Sequence, residues 1–257
     1  MKKTILAILT AAVTVASSQA QILVASWDFQ TTTTGGTAVV AAPAIPKVYT
    51  ANFGAGSLYF DGTNGSSNWF VPGTGSTNTE LNGFGGSNVN TTASGGTLLN
   101  ATTTGVAALA VLGGAGGTAA NGKSAVFAFS MTGKSDLSIS LSAQRSGTGF
   151  TTQVWDYSAD GGNNWINIGS FAGGTTAGTI RSSFADTGTL SFAAFSGLNG
   201  VADARVRVTF GGASASSGNN RLDNIQFNAV PEPSSSMLMV LGAGALVGIR
   251  SLRRKQS

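Results

Sequence analysis

The stretch QVWDYSADGGNNWINI, residues 153–168, decides the fold class. Two short runs rich in aromatic and β-branched residues, 153–158 and 164–168, lie on either side of the segment DGGN, residues 160–163. An Asp-Gly pair followed by a second Gly supplies the positive-φ positions that a tight turn between two strands needs. The stretch therefore predicts a β-hairpin.

The segments around this hairpin repeat the strand pattern. Residues 204–210 read ARVRVTF, which places Arg205 and Arg207 on one face of a strand and Val206 and Val208 on the other. Further predicted strands are residues 22–29, 57–60, 69–71, 124–131, 137–141, 190–195 and 221–227. No segment shows a long helical period, so the pattern predicts an all-β fold with a single jelly-roll or β-sandwich domain.

One long segment departs from this pattern. Residues 73–121 are low in complexity and rich in Gly, Thr and Asn, with one candidate strand or helix at residues 106–112. We expect long loops there, although a compact domain rarely contains so long a stretch without short strands of its own.

The composition excludes several classes of protein. Charged residues make up 9% of the chain, and there is no cysteine, so no disulfide stabilises the fold. Residues 21–233 hold eight basic and ten acidic residues, a net charge of −2, and the basic residues are scattered. Nucleic-acid binding needs a clustered basic surface, so we exclude it.

Residues 1–20 have the three parts of a secretory signal peptide. A basic start at residues 2–3 precedes an apolar run at 5–16, and small residues lead up to a cleavage site for signal peptidase between Ala20 and Gln21. The alternative is an N-terminal membrane anchor or a buried strand. The apolar run, however, is shorter than the ~20 residues that span a bilayer.

The C-terminal residues combine a Pro-Glu-Pro segment, an apolar run and a basic end. Proline disfavours helix in the residue before it, so we expect residues 231–233 to be extended and accessible. As a helix, residues 234–249 would be about 24 Å long, slightly less than a ~30 Å hydrocarbon core. Basic residues favour the cytoplasmic side, which predicts a stop formed by Arg250, Arg253, Arg254 and Lys255.

This three-part tail resembles the PEP-CTERM sorting signal of Gram-negative bacteria. The resemblance covers residues 230–256 and implies recognition and cleavage by a membrane transpeptidase-like exosortase, with Pro231, Glu232 and Pro233 as the recognition residues. It implies an exported protein, held transiently in the inner membrane by its C-terminal helix and then delivered to the cell surface or extracellular matrix. From the residues alone, an ordinary C-terminal anchor after a proline-rich hinge is the alternative.

The order of motifs in residues 124–228 resembles the exported jelly-roll modules that often precede such tails. The motifs are the hairpin YSADGGNNW, the strand ARVRVTF and the strand RLDNI. The resemblance implies a lectin-like or carbohydrate-binding-like fold and no particular activity. The predicted domains are therefore a signal peptide at 1–20, a β-sandwich at 21–228 and a sorting tail at 229–257.

Catalytic chemistry has few candidates in this chain. The absence of histidine removes Ser-His and Cys-His nucleophile systems and the commonest metal ligand. Glycoside hydrolysis needs two carboxylates in one cleft, yet the only glutamates are Glu80, in a Gly/Asn-rich segment, and Glu232, in the sorting motif. We expect no catalytic residue and no enzyme activity.

Two binding sites are considered beside the sorting motif. Calcium prefers oxygen ligands, and Asp28 and Asp223 lie on the first and last predicted strands, where jelly-roll modules often hold a structural calcium. The alternative is that Asp223 and Asn224 form a surface pair that starts the last strand. Trp69, beside Gly, Ser and Asn residues, is the candidate for stacking on a sugar, whereas Trp27, Trp155 and Trp165 are expected in the core.

These observations favour a non-catalytic exported protein of the cell surface or the exopolysaccharide matrix. A carbohydrate-binding module for secreted polysaccharide is the leading alternative, and a polysaccharide hydrolase is the second. The expected partners are signal peptidase, an exosortase, the membrane through the C-terminal helix, and extracellular polysaccharide. No cofactor is expected apart from the calcium ion considered above.

Overall fold

Strands form nearly all of the regular structure. The computed structural model describes residues 20–27, 32–33, 37–38, 48–61, 81–85, 107–113, 115–118, 120–182 and 190–232. The strands are β1 Ile22–Trp27, β2 Thr32–Thr33, β3 Thr37–Ala38, β4 Val48–Thr50, β5 Phe53–Gly54, β6 Gly56–Asp61, β7 Leu81–Gly85, β8 Ala107–Leu112, β9 Ser124–Phe129, β10 Lys134–Arg145, β11 Thr152–Ser158, β12 Ile166–Ala172, β13 Leu190–Phe195, β14 Ala204–Gly211 and β15 Asn219–Pro231. Among these residues the only helical element is a 3-10 turn at Ala115–Gly117.

The strands form two large antiparallel sheets. The six-stranded sheet has the order β12-β11-β14-β9-β6-β4. The seven-stranded sheet has the order β13-β10-β15-β1-β5, with β8 paired to β15 and β7 paired to β8. Strands β2 and β3 form a small separate ribbon. The predicted all-β sandwich of jelly-roll type is confirmed, and β12 and β13 are edge strands of different sheets.

Alternation of apolar and polar residues explains which face of each strand is buried. In β14 the residues alternate strictly between buried and half-buried, so that Val206 and Val208 are buried and Arg205 and Arg207 lie on the outer face, as predicted. On β10, Leu137 and Ile139 are buried in the same way. Each sheet therefore presents one apolar face to the other.

Aromatic side chains from both sheets meet in the centre of the core. Phe127 on β9 contacts two rings of the other sheet. Its ring centroid lies 5.1 Å from that of Trp27 on β1 and 5.2 Å from that of Phe227 on β15. Trp155 on β11 stacks on Phe127 at 6.1 Å with an interplanar angle of 6°. Trp27, Phe127, Phe227 and Trp155 are fully buried, which confirms Trp27 and Trp155 as core residues. This contact between sheets excludes water from the sandwich.

The segment expected to consist of long loops contains two strands. Strand β7, Leu81–Gly85, pairs with β8, Ala107–Leu112, and β8 pairs in turn with the start of β15. Leu109 and Val111 on β8 are buried, and this period of two identifies residues 107–112 as a strand rather than a helix. The candidate at residues 106–112 is therefore confirmed as a strand, and the expectation of long loops is wrong at residues 81–85. The strand predicted at 69–71 lies outside the described residues.

The pair Asp223-Asn224 lies within β15 rather than at its exposed first residues, because the strand already begins at Asn219. Asp223 is 0% exposed and Asn224 is 2% exposed. Asn224 has a φ of 47°, a left-handed conformation typical of a β-bulge. Because the bulge interrupts the alternation, Leu222 and Ile225 both lie in the core although they are an odd number of residues apart. The expectation of a surface pair is therefore wrong.

The two sheets lie in one compact unit, Leu23–Ala229. A second unit contains the chain ends, of which residues 20–22 and 230–232 are described. Within the described ranges no helix is long and apolar enough to span a bilayer. The apolar run of the predicted signal peptide and the predicted tail helix, 234–249, lie outside those ranges.

Candidate functional site

A groove opens along one side of the sandwich, between the edge strands β12 and β13. Its volume is about 420 Å³, within the range of about 300–1,000 Å³ that is common for small-molecule sites. The lining combines partly buried apolar side chains from both sheets with the polar residues Asn167 and Ser196. The larger apolar members are Tyr157, Ile168, Phe192 and Phe195.

The aromatic rings of the groove are held by the core behind them. Phe192 packs between Phe171, at a centroid distance of 4.6 Å, and Trp155, at 5.8 Å. Tyr157 packs against Phe195 at 5.3 Å. Each of these groove rings is only partly buried, so the rings are fixed in position and still accessible.

A register shift places both phenylalanines on the same face. Phe192 and Phe195 are three residues apart, which would put them on opposite faces of a regular strand. The register shifts between β10 and β13, so that Phe195 pairs with Leu137 and Phe192 with Ile139. Since Leu137 and Ile139 both point into the core, the shift turns both rings inward.

Two glycines leave room for these rings. A Cβ atom at Gly197 would collide with the ring and hydroxyl of Tyr157, and one at Gly169 would lie 2.9 Å from Cε1 of Phe192. Gly169 is the β12 partner of Trp155, where the pairing of β11 and β12 is itself irregular. A larger residue at either position would push an aromatic ring out of its place.

Two polar groups of the groove, the Tyr157 hydroxyl and the Ser196 hydroxyl, have no hydrogen-bond partner among the described residues. The Asn167 side chain is tied to the outer cluster, because its Nδ2 donates to the carbonyl oxygen of Trp155 at 3.2 Å and to Oδ1 of Asp156 at 3.0 Å. The groove therefore offers hydrogen-bonding groups beside aromatic rings.

The outer face of the same hairpin holds a charged cluster. Nε of Arg207 donates to Oδ2 of Asp156 at 2.9 Å, and these side chains are 18% and 11% exposed. The guanidinium carbon of Arg207 lies 4.4 Å from the centroid of the Trp165 ring, a cation–π contact. The prediction that Trp165 lies in the core is wrong, because Arg207 holds its ring on the outer face.

Arg205 is held beside this cluster. It makes two hydrogen bonds to the Asp203 carboxylate, both 3.2 Å long, and its Nη1 donates to the Tyr59 hydroxyl at 2.9 Å. The hydrogen bond to Asp203 raises the pKa of Arg205 above its usual value. Both arginines of the predicted polar face are thus neutralised by carboxylates, so this face stabilises the hairpin and offers little free charge to a ligand.

The predicted hairpin turn is confirmed. Gly161 and Gly162 have φ values of 70° and 93°. The Asp160 carboxylate accepts hydrogen bonds from the backbone N–H of Asn164 at 2.9 Å and from the Ser158 hydroxyl at 2.7 Å. These bonds stabilise the charged form and lower the pKa of Asp160 to about 2. Asp160 is therefore a turn former.

The described residues do not assemble a metal centre. They contain no group of three or more acidic, cysteine or histidine side chains that could hold a metal ion. Asp223, one of the two predicted calcium ligands, is buried, and its Oδ1 accepts from the backbone N–H of Asn224 at 2.8 Å. Asp28 lies outside the described residues, so the calcium site stays a prediction.

The residues predicted for sorting and cleavage lie at the ends of the described chain. Pro231 is the last residue of β15, and Glu232 is exposed, as are Ala20 and Gln21. The remaining predicted site residues, which are Pro233, Trp69, Arg250, Arg253, Arg254 and Lys255, lie outside the described residues.

Comparison with protein families decides the identity of the tail. The model of the PEP-CTERM protein-sorting motif matches residues 229–255. The chain carries a PEP-CTERM sorting motif. The PEP-CTERM motif indicates an exported protein that an exosortase sorts, and it confirms the resemblance seen in the sequence. No curated protein matches the chain.

Solved structures similar to this PEP-CTERM protein are distant. The K3 cleaved adhesin domain of Lys-gingipain from Porphyromonas gingivalis W83 is 9% identical over 81% of this chain and 99% of that chain, with a TM-score of 0.39. The CBM22-1 and GH10 modules of a Clostridium thermocellum endo-1,4-β-D-xylanase with xylohexaose are 13% identical, with a TM-score of 0.34; the match covers 50% of this chain and spans only 23% of theirs. The carbohydrate-binding module CBM36 with calcium and xylotriose is 18% identical over 52% of this chain and 90% of that chain, with a TM-score of 0.29. At these TM-scores, none of the three structures identifies a ligand of this chain.

Sequence reasoning missed the groove. The apolar residues of LSFAAF, 190–195, identify a strand, but their spacing gives no hint that two phenylalanines share a face. The one available signal is the glycine that follows at position 197, since glycine is the residue that a close approach of another side chain requires.

Proposed function

We propose that this protein is a non-catalytic, exported protein of the cell surface or of the exopolysaccharide matrix, sorted by its C-terminal motif. The observation that supports this most directly is the PEP-CTERM motif at residues 229–255, which overlaps the end of β15, the last strand of the sandwich. The sandwich is thus the cargo, and the tail is its sorting signal.

In the proposed route, signal peptidase removes residues 1–20, and the helix 234–249 with its basic stop holds the protein in the inner membrane of a Gram-negative bacterium. An exosortase then recognises Pro231, Glu232 and Pro233 and releases the sandwich to the cell surface. The exposed position of Glu232 supports access of an enzyme to this segment.

The non-catalytic role is supported by what the carboxylates of the hairpin region do. Asp156 pairs with Arg207, Asp203 pairs with Arg205, and Asp160 closes the turn. The sequence has no histidine to act as a general base. Each of these carboxylates thus has a structural role, and proton transfer to or from it would break the contacts that it makes.

Cell fractionation with a variant of the motif tests the sorting proposal. The triple substitution Pro231→Ala, Glu232→Ala, Pro233→Ala should leave the protein in the inner-membrane fraction, while the wild-type protein reaches the surface or medium. A matched control replaces Ser234, Ser235 and Ser236 by alanine, which changes the three residues after the motif. The proposal is wrong if the motif variant reaches the surface as efficiently as this control.

Carbohydrate binding is a second candidate function, which the groove between β12 and β13 favours. Partly exposed aromatic rings beside unpartnered hydroxyl groups are the features of a sugar site. Co-sedimentation of the protein with exopolysaccharide from its own cells tests this candidate. Equal sedimentation with and without the polysaccharide would reject it.

A further inference from the structure

We propose that the groove between β12 and β13 is the ligand site of the sandwich and that it binds a short stretch of a neutral pyranose glycan. The inference rests on the second candidate function and deepens it, because it names the site and the class of sugar. The volume of about 420 Å³ is appropriate for a few sugar units and not for a folded partner.

The aromatic rings provide the apolar contact. Phe195 and Tyr157 pack against each other at a centroid distance of 5.3 Å, and Phe192 packs on Phe171 at 4.6 Å, so each ring stays in place while its free surface lines the groove. A pyranose ring has one apolar face of C–H groups, which packs on such rings and removes apolar surface from water. Rings that are already fixed lose little conformational entropy when the sugar binds.

The polar groups provide the hydrogen bonds. The Tyr157 hydroxyl and the Ser196 hydroxyl can each donate and accept. Neither has a partner among the described residues, so a sugar hydroxyl would not have to displace a protein hydrogen bond. Sugar hydroxyls also donate and accept, which matches this set.

The charge of the site selects a neutral glycan. No residue that lines the groove in the described chain is charged. Arg207 on β14, the neighbour of β11, is paired with Asp156 on the outer face of the sheet. The carboxylate of an acidic sugar would thus lose part of its hydration in the groove without gaining a positively charged partner, which is unfavourable.

Edge strands also invite another polypeptide strand, but irregular pairing opposes that occupant here. The β11–β12 register shifts between Trp155 and Asp156, and the β10–β13 register shifts between Leu137 and Ile139. Such irregularities are a common way in which proteins protect sheet edges against strand addition. The side chains between the two edges, rather than the backbone of either edge, therefore form the binding surface.

Titration calorimetry of the full chain tests the proposal with three soluble probes. These are hexasaccharides of β-1,4-linked glucose, β-1,4-linked mannose and α-1,4-linked galacturonic acid. At least one neutral probe should bind, and the acidic probe should bind at least about 10-fold more weakly, because its charges stay unpaired.

Three variants locate the site. Phe195→Ala should weaken binding of the neutral probe by at least about 10-fold, because it removes an aromatic contact. Tyr157→Phe keeps the ring and its packing and removes only the hydroxyl, so it should weaken binding by about 2- to 10-fold without affecting folding. Val154→Ala is the matched control, since Val154 is an exposed apolar residue on the opposite face of the same strand, and it should bind as the wild type does.

The proposal is overturned if neither neutral probe binds, if the acidic probe binds as tightly as the neutral ones, or if Phe195→Ala and Tyr157→Phe both bind as wild type. Self-association that Phe195→Ala abolishes, in a protein that binds no probe, would assign the groove to a second copy and also overturn it. Correct sorting without probe binding rejects the groove alone. Delivery of the motif variant to the surface as efficiently as its control, with probe binding intact, rejects the sorting proposal alone.

Discussion

The two faces of the β11–β12 hairpin are stabilised in different ways, and its two tryptophans show the difference. Trp155 on the inner face is fully buried and packs against Phe127 and Phe192. Trp165 on the outer face is half-buried and lies over the guanidinium of Arg207. The inner tryptophan is thus held by non-directional apolar burial, and the outer one by a specific contact with a cation.

This difference separates the two roles of the hairpin. The inner face joins the hairpin to the core and supplies Tyr157 to the groove, whose other two rings, Phe192 and Phe195, lie on β13. On the outer face, the charges of Arg207 and Arg205 are neutralised by Asp156 and Asp203. This face therefore has few free polar groups that a ligand could bind. The proposed binding surface therefore lies at the side of the sandwich rather than on the outer face of the sheet.

Among the variants that test this comparison, Trp155→Ala should have the largest effect on stability. Removing a fully buried tryptophan should lower the free energy of unfolding by about 3–5 kcal/mol, because it leaves a cavity among aromatic rings. Urea denaturation measures the effect, and Val154→Ala on the other face of the strand should cost less than about 1 kcal/mol. Similar losses for both variants would contradict the assignment of the inner face to the core.

Breaking the outer ion pair comes next. Asp156→Ala leaves the guanidinium of Arg207 without its carboxylate, and it also removes an acceptor from Asn167, so we expect a loss of about 1–3 kcal/mol in urea denaturation. Asp203→Ala is the matched control. The Asp203 side chain is 61% exposed, so its removal should cost less than about 1 kcal/mol. A larger effect at Asp203 would show that the outer cluster is centred on Arg205.

Removing the outer tryptophan should have a smaller effect. Trp165→Ala deletes the cation–π contact with Arg207 and should lower the free energy of unfolding by about 0.5–2 kcal/mol, also measured with urea. The neighbouring Ile166 is 54% exposed, so Ile166→Ala should stay within about 0.5 kcal/mol of wild type. A loss at Trp165 equal to that at Trp155 would remove the distinction between the two faces.

The smallest effect concerns the charge of Asp160 in the turn. Its pKa is lowered to about 2 in the folded protein, whereas an unfolded aspartate has a pKa of about 3.9. The charge therefore stabilises the fold at pH values above about 4, and this contribution is lost as the pH falls to about 2.

The measurement is the melting temperature of wild type and Asp160→Asn between pH 6 and pH 2. The wild-type advantage should be constant at the upper end and shrink as the pH falls. The full exposure of Asp160 keeps the effect small. A difference that stays constant down to pH 2 would mean that the charge of Asp160 does not support the turn.

Local patterns were sufficient to predict most of the β-sandwich. The alternation in ARVRVTF identified the buried and exposed faces of β14, and the DGG sequence identified the hairpin turn. Both depend on residues close together in the chain, where a period of two and a positive φ leave a direct trace in the sequence.

The errors arose where the regular period breaks. Strand β15 begins before Asp223 and continues through the left-handed residue Asn224, and the shift between β10 and β13 brought Phe192 and Phe195 together. Neither irregularity has a local signature, because each depends on how two strands pair. Trp165 was misplaced for a related reason, since its partner Arg207 is distant in sequence and becomes a neighbour only through the β11–β14 pairing.

The most direct test of the account is the intact mass of the mature protein, measured separately on material from whole cells and from the medium. The account predicts a chain that begins at Gln21 and ends near Pro233, recovered outside the cytoplasm. A chain that retains both Met1 and Ser257, found in the cytosol, would contradict the conclusion that this protein is exported and sorted by its PEP-CTERM motif.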